Sequence, residues 1–435
     1  MLSKHENEQL TRVGPGSEMG VLMRRHWVPA LLSSEIEARD GPPVRISLLG
    51  ERLVAFRDSG GRVGLLEEFC AHRLVSLYLG RNEENGIRCV YHGWKYDVSG
   101  RCVDMPTEPA DSPYKSKIRL NAYPTVEIGG VVWAYLGEGA PPAHPKFEWT
   151  QLRAEQRVVS RTWQECNWLQ ALEGGIDSMH ASALHTIISK DSKRAGLRGL
   201  WTKPVVLRDE VVLTSYGHAY ASIRPFDDQK TWAKVYHYVV PFYTFFPFEL
   251  GGDGQRLQPI INGHMFVPMD DENTMVYNWI GKYGDEPFTD KEKADLEWSR
   301  GRAEGEVGSD HRKTRNLDVD WKIDRSVQKN ESYSGIDGIN TQDHAVQESM
   351  GPIVDRTKEH LGTTDTAVMA TRRLLLKVLT ASQSADMSMG INPTYYRVRA
   401  REQMIEKGGR WEQMLGEVLD PAEFNALMEK RQKKP

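Results

Sequence analysis

The chain has little cysteine and lacks a long apolar run, and both absences narrow its class. Only four of its 435 residues are cysteine: Cys70, Cys89, Cys102 and Cys166. Small secreted domains held by disulfides use cysteine more densely, so Cys102 and Cys166 are expected to be buried free thiols in a cytoplasmic protein. No uncharged apolar stretch approaches the roughly 20 residues that cross a bilayer. The first residues also lack the apolar core of a signal peptide.

Neither sign of charge dominates, and a nucleotide-binding motif is missing. The chain has 56 Lys and Arg against 60 Asp and Glu, and its pI is about 6.4. This balance predicts no nucleic-acid partner and no anionic membrane surface. We find no G-x-G-x-x-G after a predicted strand, so the chain is not expected to bind a dinucleotide itself. The length and the 39% hydrophobic content suit a globular protein of two or three domains.

Two of the four cysteines each stand close before a histidine. The motifs are Cys70-Ala-His72 and Cys89-Val-Tyr-His92. Two thiolates and two imidazoles are the ligand set of a Rieske [2Fe–2S] centre, in which the thiolates hold one iron and the imidazoles the other. Neutral imidazoles raise the reduction potential of such a cluster. The motifs therefore predict a redox protein.

The alternative for these four residues is a structural zinc site. Zinc fingers usually pair two cysteines in one half-site and two histidines in the other. Here each half-site mixes Cys with His, which suits two loops that each offer a ligand to both irons. The ligand order therefore favours the Rieske interpretation over zinc.

The pattern along the chain predicts an α+β protein in three segments. Residues 1–25 are expected to form an N-terminal arm with one short helix. Residues 26–145, where short β-type runs alternate with turns, predict a small all-β domain that carries the cluster. Residues 146–435 predict an α+β domain with an antiparallel sheet over about 203–280 and covering helices over 341–380 and 401–430. The polar stretch 283–340, with one short helix near 290–304, is expected to be a lid or a subunit contact.

A second metal site is suggested within a helical pattern that runs from Asn167 to His185. A ferrous site of the facial-triad type needs two imidazoles and one carboxylate, with positions left open for O₂ and substrate. His180 and His185 are five residues apart, so they converge only if the helix ends or distorts between them. Asp177, three residues before His180, is better placed to orient that imidazole than to bind metal. Two histidines on a helix are more often ordinary, partly buried side chains.

The third ligand is expected to be an acid much later in the chain. Asp343 opens a helical stretch, where a carboxylate is also favoured simply by the helix dipole. Sequence physics alone does not choose among the candidates. They are Asp337, Asp343, Glu348, Asp355 and Glu359.

Together, these motifs resemble the oxygenase component of the Rieske non-haem iron oxygenases. The resemblance covers nearly the whole chain, and stretches such as Cys89-Val-Tyr-His-Gly-Trp-Lys and Gln347-Glu-Ser-Met-Gly-Pro-Ile are similar to the phthalate dioxygenase branch. That branch also holds aryl O-demethylases. The resemblance implies that Asp343 is the carboxylate ligand and that Asp177 is the acid that bridges the two metal centres. The sequence departs from many members at Ala71, at Leu74-Val75 and at Glu173-Gly174.

The resemblance also implies partners and a substrate class. It implies a homotrimer or stacked trimers, in which Asp177 links His180 to a cluster histidine, His92, of the neighbouring subunit. Electrons are expected from NADH through a separate flavin and iron–sulfur reductase. The substrates are expected to be O₂ and an aromatic carboxylate of the phthalate or benzoate type. The product is either a hydroxylated ring or, for a methoxylated aromatic acid, the demethylated acid and formaldehyde.

The substrate pocket is less well defined by the sequence. The aromatic stretch 236–248 is expected either to wall a flat substrate or to be core. An aromatic carboxylate needs a cation in its pocket, but each candidate is first expected to be a solvated surface charge. The candidates are Arg198, Lys203, Arg208, Arg224 and Lys234. An electron carrier whose second domain is only a scaffold, and a zinc-stabilised binding module, stay as competing functions.

Overall fold

A computed structural model describes residues 1–109, 112–189, 208–248, 259–382, 389 and 398–432. The chain divides into two compact units. The small unit comprises residues 12–143 and 267–271, and the large unit comprises residues 1–11, 144–266 and 272–435. In the described part of the chain, no helix is both long and apolar enough to cross a membrane.

The first residues form two helices where one was predicted. Helix α1 (Lys4–Thr11) belongs to the large unit, and α2 (Glu18–Arg24) belongs to the small unit. The side chain of Ser17 accepts from the amide of Gly20 and so caps α2.

The small unit is built from short antiparallel strands. The described strands form the sheets β1-β10-β9, β2-β3-β4 and β5-β6-β7-β8, in the order in which they pair. Their bounds are β1 (Trp27–Leu32), β2 (Val44–Leu48), β3 (Glu51–Arg57), β4 (Val63–Glu67), β5 (Arg81–Glu83), β6 (Gly86–Arg88), β7 (Lys95–Tyr96), β8 (Cys102–Asp104), β9 (Thr125–Ile128) and β10 (Val131–Tyr135). Leu66, Ile87 and Tyr96 pack in a core that also contains Cys70 and Cys89. The predicted all-β unit is confirmed.

The large unit contains one extended antiparallel sheet among its described residues. Its order is β11-β17-β16-β15-β14-β13-β12, and β18 pairs with β14. The bounds are β11 (Arg157–Gln164), β12 (Arg208–Thr214), β13 (Gly217–Pro225), β14 (Lys230–Val239), β15 (Tyr243–Phe245), β16 (Ile260–Pro268), β17 (Thr274–Lys282) and β18 (Arg401–Glu406). The predicted antiparallel sheet is confirmed, but residues 203–207 of the predicted range lie outside the described residues.

The helices of the large unit are shorter than the sequence pattern predicted. They are α3 (Glu148–Gln151), α4 (Trp168–Ile176), α5 (Asp290–Ser299), α6 (Arg325–Asn330), α7 (Ile339–Glu348), α8 (Thr366–Ser382) and α9 (Pro421–Gln432). A continuous helix over 341–380 is wrong, because Gly351 has a φ of +89° and Pro352 follows it. A helix over 401–430 is also wrong, since β18 occupies its first part and only α9 is α-helical.

A buried ion network connects α4 to helix α8 and to the segment that precedes α8. Glu173, on α4, accepts from Arg356 at 2.9 Å and from Arg372 at 2.6 Å. The two arginine side chains are 0% and 4% exposed. Burial alone would raise the pKa of Glu173, but the two arginines outweigh it and hold the pKa below its usual value. Glu173 thus neutralises two buried cations.

We expect Glu173→Gln to destabilise the large unit strongly. Removing one partner of a buried ion pair costs about 3–5 kcal/mol, because the remaining charge is left uncompensated. Urea or thermal unfolding followed by circular dichroism checks the loss. Glu359→Gln is the matched control, since Glu359 pairs with the same Arg372 but is more exposed. If both variants lose the same free energy of unfolding, the contact of Glu173 with two arginines stabilises the fold no more than the contact of Glu359 with one.

Candidate functional site

Cys70 and Cys89 occupy equivalent positions in two loops of the small unit. In each loop the cysteine N–H donates to the carbonyl five residues later, and the cysteine carbonyl accepts from the amide four residues later. The partners are Val75 and Leu74 in the first loop and Trp94 and Gly93 in the second, at 2.8 to 3.0 Å. The backbones of the two loops are therefore folded in the same way around their cysteines.

The fourth residue after each cysteine needs a left-handed backbone. Gly93 adopts a φ of +75° without strain, whereas Leu74 adopts +57° in the other loop. Leu74 is 71% exposed, so its departure from the family pattern does not alter packing against the cysteines.

The sulfurs of the two loops lie inside and the imidazoles lie outside. Cys70 and Cys89 are buried, His92 is half-buried and His72 is exposed. The ring centroids of the two histidines are 4.5 Å apart. Burial, together with the adjacent Cys70, raises the pKa of the Cys89 thiol. Two neighbouring buried sulfurs below two paired imidazoles fit a two-iron cluster that takes thiolates on one iron and imidazoles on the other.

Two aromatic residues that were not among the predicted site residues support the cluster loops. The Tyr96 hydroxyl lies 3.2 Å from Cys70 Sγ and accepts from the Ala71 amide. Burial raises the pKa of Tyr96 far above its usual value, so the phenol keeps the proton that it donates to a thiolate. Trp94 stacks on His72, with ring centroids 4.5 Å apart. The alternating pattern after His92 was the available signal, but it does not show which side chain reaches a sulfur.

A second candidate metal centre lies in the large unit. Nε2 of His180 and Nε2 of His185 are 3.2 Å apart. Oδ1 of Asp343 lies 3.3 Å from the first and 3.1 Å from the second. Three ligands at right angles around an ion, each about 2.1 Å away, stand about 3.0 Å from one another. The triangle therefore fits one face of an octahedral ferrous site.

The end of α4 explains how the two histidines converge. The predicted helix from Asn167 to His185 is wrong as a continuous element, because α4 ends at Ile176. Asp177 follows in an extended conformation, and His180 begins a short 3₁₀ turn that ends at Ser182. The 3₁₀ turn thus replaces an α-helix between His180 and His185, as their spacing of five residues required. Asp343 comes from α7, which places the carboxylate against both imidazoles.

The electrostatics of the triangle favour a cation. Burial opposes protonation of His180, but the carboxylates of Asp343 and Asp177 outweigh it and raise the pKa of His180 to about 9. Burial likewise opposes ionisation of Asp343, yet His185 and His180 hold its pKa well below the usual range. An ionised carboxylate with two imidazoles attracts positive charge, which a divalent ion supplies.

The other acids considered as ligands have different partners. Asp355 is exposed, and burial raises the pKa of Glu348. Their contacts are Arg315 for Asp337, the Trp321 indole and the Glu165 amide for Glu348, Thr357 for Asp355 and Arg372 for Glu359. Asp343 alone among the five candidates joins the two histidines.

Asp177 caps the turn that carries His180. Its Oδ1 accepts from the amides of Met179 at 2.7 Å and His180 at 3.3 Å. Its Oδ2 lies 3.7 Å from Nδ1 of His180, which is too long for a hydrogen bond. The carboxylate is 29% exposed, so it retains room for a further contact.

The cations predicted as candidates for binding a substrate carboxylate differ in their exposure to solvent. Arg198 and Lys203 lie outside the described residues, and Arg208 is exposed. The expectation of solvated charges is wrong for Arg224 and Lys234, which are both buried. Arg224 donates to the carbonyl of Ser178, beside Asp177, at 3.0 Å. Burial lowers the pKa of Lys234 to about 7 despite the neighbouring Glu402.

The aromatic stretch over 236–248 is largely core. Tyr238, Phe242 and Phe245 are buried. Phe147 packs against Tyr243 and Phe245, with ring centroids 4.9 and 5.7 Å away. For these residues the structure favours the packing role over the pocket wall.

Comparison with known families matches both parts of the chain. Residues 26–124 match the Rieske [2Fe-2S] domain, and residues 134–434 match the family described as LigXa C-terminal domain like. The first match removes the zinc site and the zinc-stabilised binding module. Cys102 and Cys166 are buried and free, as predicted.

Similar proteins are oxygenase subunits. The chain is 38% identical to the 3-chlorobenzoate-3,4-dioxygenase oxygenase subunit of Comamonas testosteroni, over 94% of this chain and 96% of that protein. It is 38% identical to the phthalate 4,5-dioxygenase oxygenase subunit of Pseudomonas putida, over 90% and 89%. It is 31% identical to the 5,5'-dehydrodivanillate O-demethylase oxygenase subunit of Sphingobium sp. (strain NBRC 103272 / SYK-6), over 87% and 80%.

A solved structure shares the fold. The oxygenase in the reduced complex between oxygenase and ferredoxin in carbazole 1,9a-dioxygenase aligns with a TM-score of 0.53 and 22% identity, over 85% of this chain and 90% of that chain. At this identity the likeness supports the fold: an all-β Rieske domain followed by an antiparallel sheet with helices.

Proposed function

We propose that this chain, which belongs to the family of Rieske non-haem iron oxygenases, oxidises an aromatic carboxylic acid. The observation that carries the proposal is the triangle of His180, His185 and Asp343 in a chain that also has a Rieske domain. An electron carrier with a scaffold domain does not need two histidines and a carboxylate that converge as a facial triad. That competing function is therefore set aside.

The residues divide between two cofactors. Cys70, His72, Cys89 and His92, within a domain over residues 26–145, hold the [2Fe–2S] cluster. The triad, within a domain over residues 146–435, holds Fe(II). When bound, the cluster supplies single electrons and the ferrous ion activates O₂ beside the substrate. The chain's own contribution is to bury the sulfurs, keep the triad rigid and orient the substrate.

We place the two centres of one catalytic unit in neighbouring subunits. In this proposal Asp177, whose Oδ2 lies 3.7 Å from Nδ1 of His180, moves closer and accepts a hydrogen bond from that imidazole, and it accepts another from His92 of the neighbouring subunit. Exposed apolar side chains support an interface around the cluster loops, and others lie on and near α7. They are Leu74, Leu79, Val90 and Tyr91 near the cluster and Leu317, Val346 and Met350 near α7. Two different patches that meet head to tail close into a ring, which agrees with a homotrimer or stacked trimers.

Electrons come from a separate protein in this proposal. The sequence has no dinucleotide-binding motif of the G-x-G-x-x-G type, and the carbazole 1,9a-dioxygenase oxygenase forms a complex with a ferredoxin. We propose an NADH-dependent flavin and iron–sulfur reductase as the donor.

The substrate is an aromatic carboxylate of the benzoate or phthalate type. Two relatives at 38% identity are named for 3-chlorobenzoate and phthalate. O-demethylation of a methoxylated aromatic acid is the alternative, and it rests on the relative named as an O-demethylase. Ring hydroxylation and O-demethylation use the same iron ligands, so the atom that the pocket holds over the iron decides between them.

Product analysis separates the two reactions. The iron-loaded protein, a compatible reductase and NADH would be offered phthalates, benzoates, methoxybenzoates and biaryl acids. O₂ uptake with a cis-diol or phenol and without formaldehyde supports hydroxylation, which we expect. Formaldehyde in a fixed ratio to O₂ makes the protein a demethylase. Neither product from any aromatic acid, with both metals present, would refute the substrate class.

A further inference from the structure

Gln342 contacts His185 at Nδ1, the ring nitrogen that points away from His180 and Asp343. Its Oε1 lies 2.7 Å from Nδ1 of His185. Both side chains are buried, 1% and 3% exposed. Gln342 immediately precedes Asp343 on α7, so one turn of helix supplies a carboxylate to the triangle and an amide to the imidazole beside it.

A second contact fixes which end of the amide meets the imidazole. Gln342 Nε2 donates to the carbonyl of Ile336 at 2.7 Å. A carbonyl oxygen only accepts, so the NH₂ group must face Ile336 and the amide oxygen must face His185. The orientation of the glutamine is therefore determined by its own partners.

The amide oxygen in turn determines the tautomer of His185. Because Oε1 has no proton to give, Nδ1 of His185 carries the proton and donates it. Nε2 then has the lone pair, and Nε2 is the atom that faces His180 and Asp343. The imidazole is thus held in the form and direction that a metal ion requires.

We propose that Gln342 is a positioning residue for the iron site, which fixes His185 as a ligand through a neutral acceptor. The proposal rests on the proposed role of His185 as an iron ligand. The two histidines have different neighbours at Nδ1. His180 lies beside the carboxylate of Asp177, and His185 lies beside the uncharged amide of Gln342. The chain therefore limits the negative charge around the ferrous ion while keeping both rings in place.

The test compares iron affinity in three variants of the cluster-containing protein. Gln342→Leu removes the acceptor, and we expect the dissociation constant for Fe(II) to rise about 10- to 100-fold, because the ring is no longer held in one tautomer and direction. Competition with a ferrous chelator under anaerobic conditions measures it. Gln342→Glu keeps an acceptor oxygen for His185 but loses the donor to the Ile336 carbonyl, so it is expected to recover part of the affinity. Gln347→Leu removes another buried glutamine of α7, one that accepts from Gln164, and should leave the affinity unchanged.

A spectroscopic measurement separates positioning from packing. With the cluster oxidised and silent, the electron paramagnetic resonance signal of the nitric oxide adduct of Fe(II) reports the symmetry of the ligands. We expect the signal to change in Gln342→Leu and to stay unchanged in Gln347→Leu. Unchanged affinity and signal in Gln342→Leu, or equal losses in all three variants, would overturn the proposal.

His185→Ala distinguishes this inference from the proposed function. If His185→Ala loses iron and Gln342→Leu does not, only the positioning role fails. If His185→Ala keeps full iron affinity, the ligand assignment itself fails.

Discussion

Replacement of Asp343 with alanine is expected to abolish oxygenation and to remove the mononuclear iron while leaving the [2Fe–2S] cluster intact. Asp343 provides the carboxylate of the triangle, 3.3 and 3.1 Å from the two imidazole nitrogens. Without it the site keeps two neutral ligands, and a ferrous ion loses both a bond and its charge compensation. Metal analysis should find the iron of the cluster only, and visible absorption should show the cluster unchanged.

The matched control is Asp355→Ala. Asp355 was an equal candidate on sequence grounds, but it is exposed and bonds to Thr357. This variant should keep all its iron and its activity. His180→Ala should repeat the loss seen with Asp343→Ala. Full iron content in Asp343→Ala would mean that another acid completes the site, and loss of cluster absorption would mean that the variant is misfolded.

The cluster loops were predictable because their information is local. Each half-site is a single loop, and its Cys and His are two or three residues apart. The loop hydrogen bonds connect residues four and five positions apart, so spacing alone restricts the geometry. The contribution of Tyr96 was not predictable, since it depends on strand β7 lying beneath the first loop.

The second site was only partly predictable because its ligands come from distant elements. The spacing of His180 and His185 set a condition on the helix, and the 3₁₀ turn that begins at His180, after α4 has ended, meets it. The choice of Asp343 among five acids depends on how α7 packs, and no local pattern encodes this. The resemblance to the family indicated Asp343, and the geometry places the same carboxylate against both histidines.

Tertiary contacts also explain the wrong helix boundaries and the wrong exposure of two cations. Residues 401–406 have a helix-compatible composition, yet they pair with β14 as a strand, and such pairing outweighs propensity. Arg224 and Lys234 lie on strands β13 and β14, opposite neighbours that bury them. From the sequence alone, a charged residue in a strand is predicted to be exposed, because the residues that bury it come from other strands.

Asp177→Asn is expected to keep both metal centres and to slow electron transfer between them by about 10- to 100-fold. Asparagine keeps the oxygen that accepts from the Met179 amide at 2.7 Å, so the turn that carries His180 should stay formed. What disappears is the negative charge and the second acceptor oxygen, which the proposed bridge to the partner subunit requires. The rate at which a pre-reduced cluster is reoxidised, after O₂ and substrate are added, measures the effect.

Asp209→Asn controls for the loss of local charge. Burial and the nearby Asp177 raise the pKa of Asp209 to about 7, so the two variants are compared above about pH 8, where Asp209 is ionised and its amide variant removes a full charge. Its amide variant should transfer electrons at the normal rate. If Asp177→Asn keeps both metals and the full rate, Asp177 only caps its turn and the bridge does not exist. If it loses iron instead, the carboxylate acts on His180 alone, and the path between subunits must use another residue.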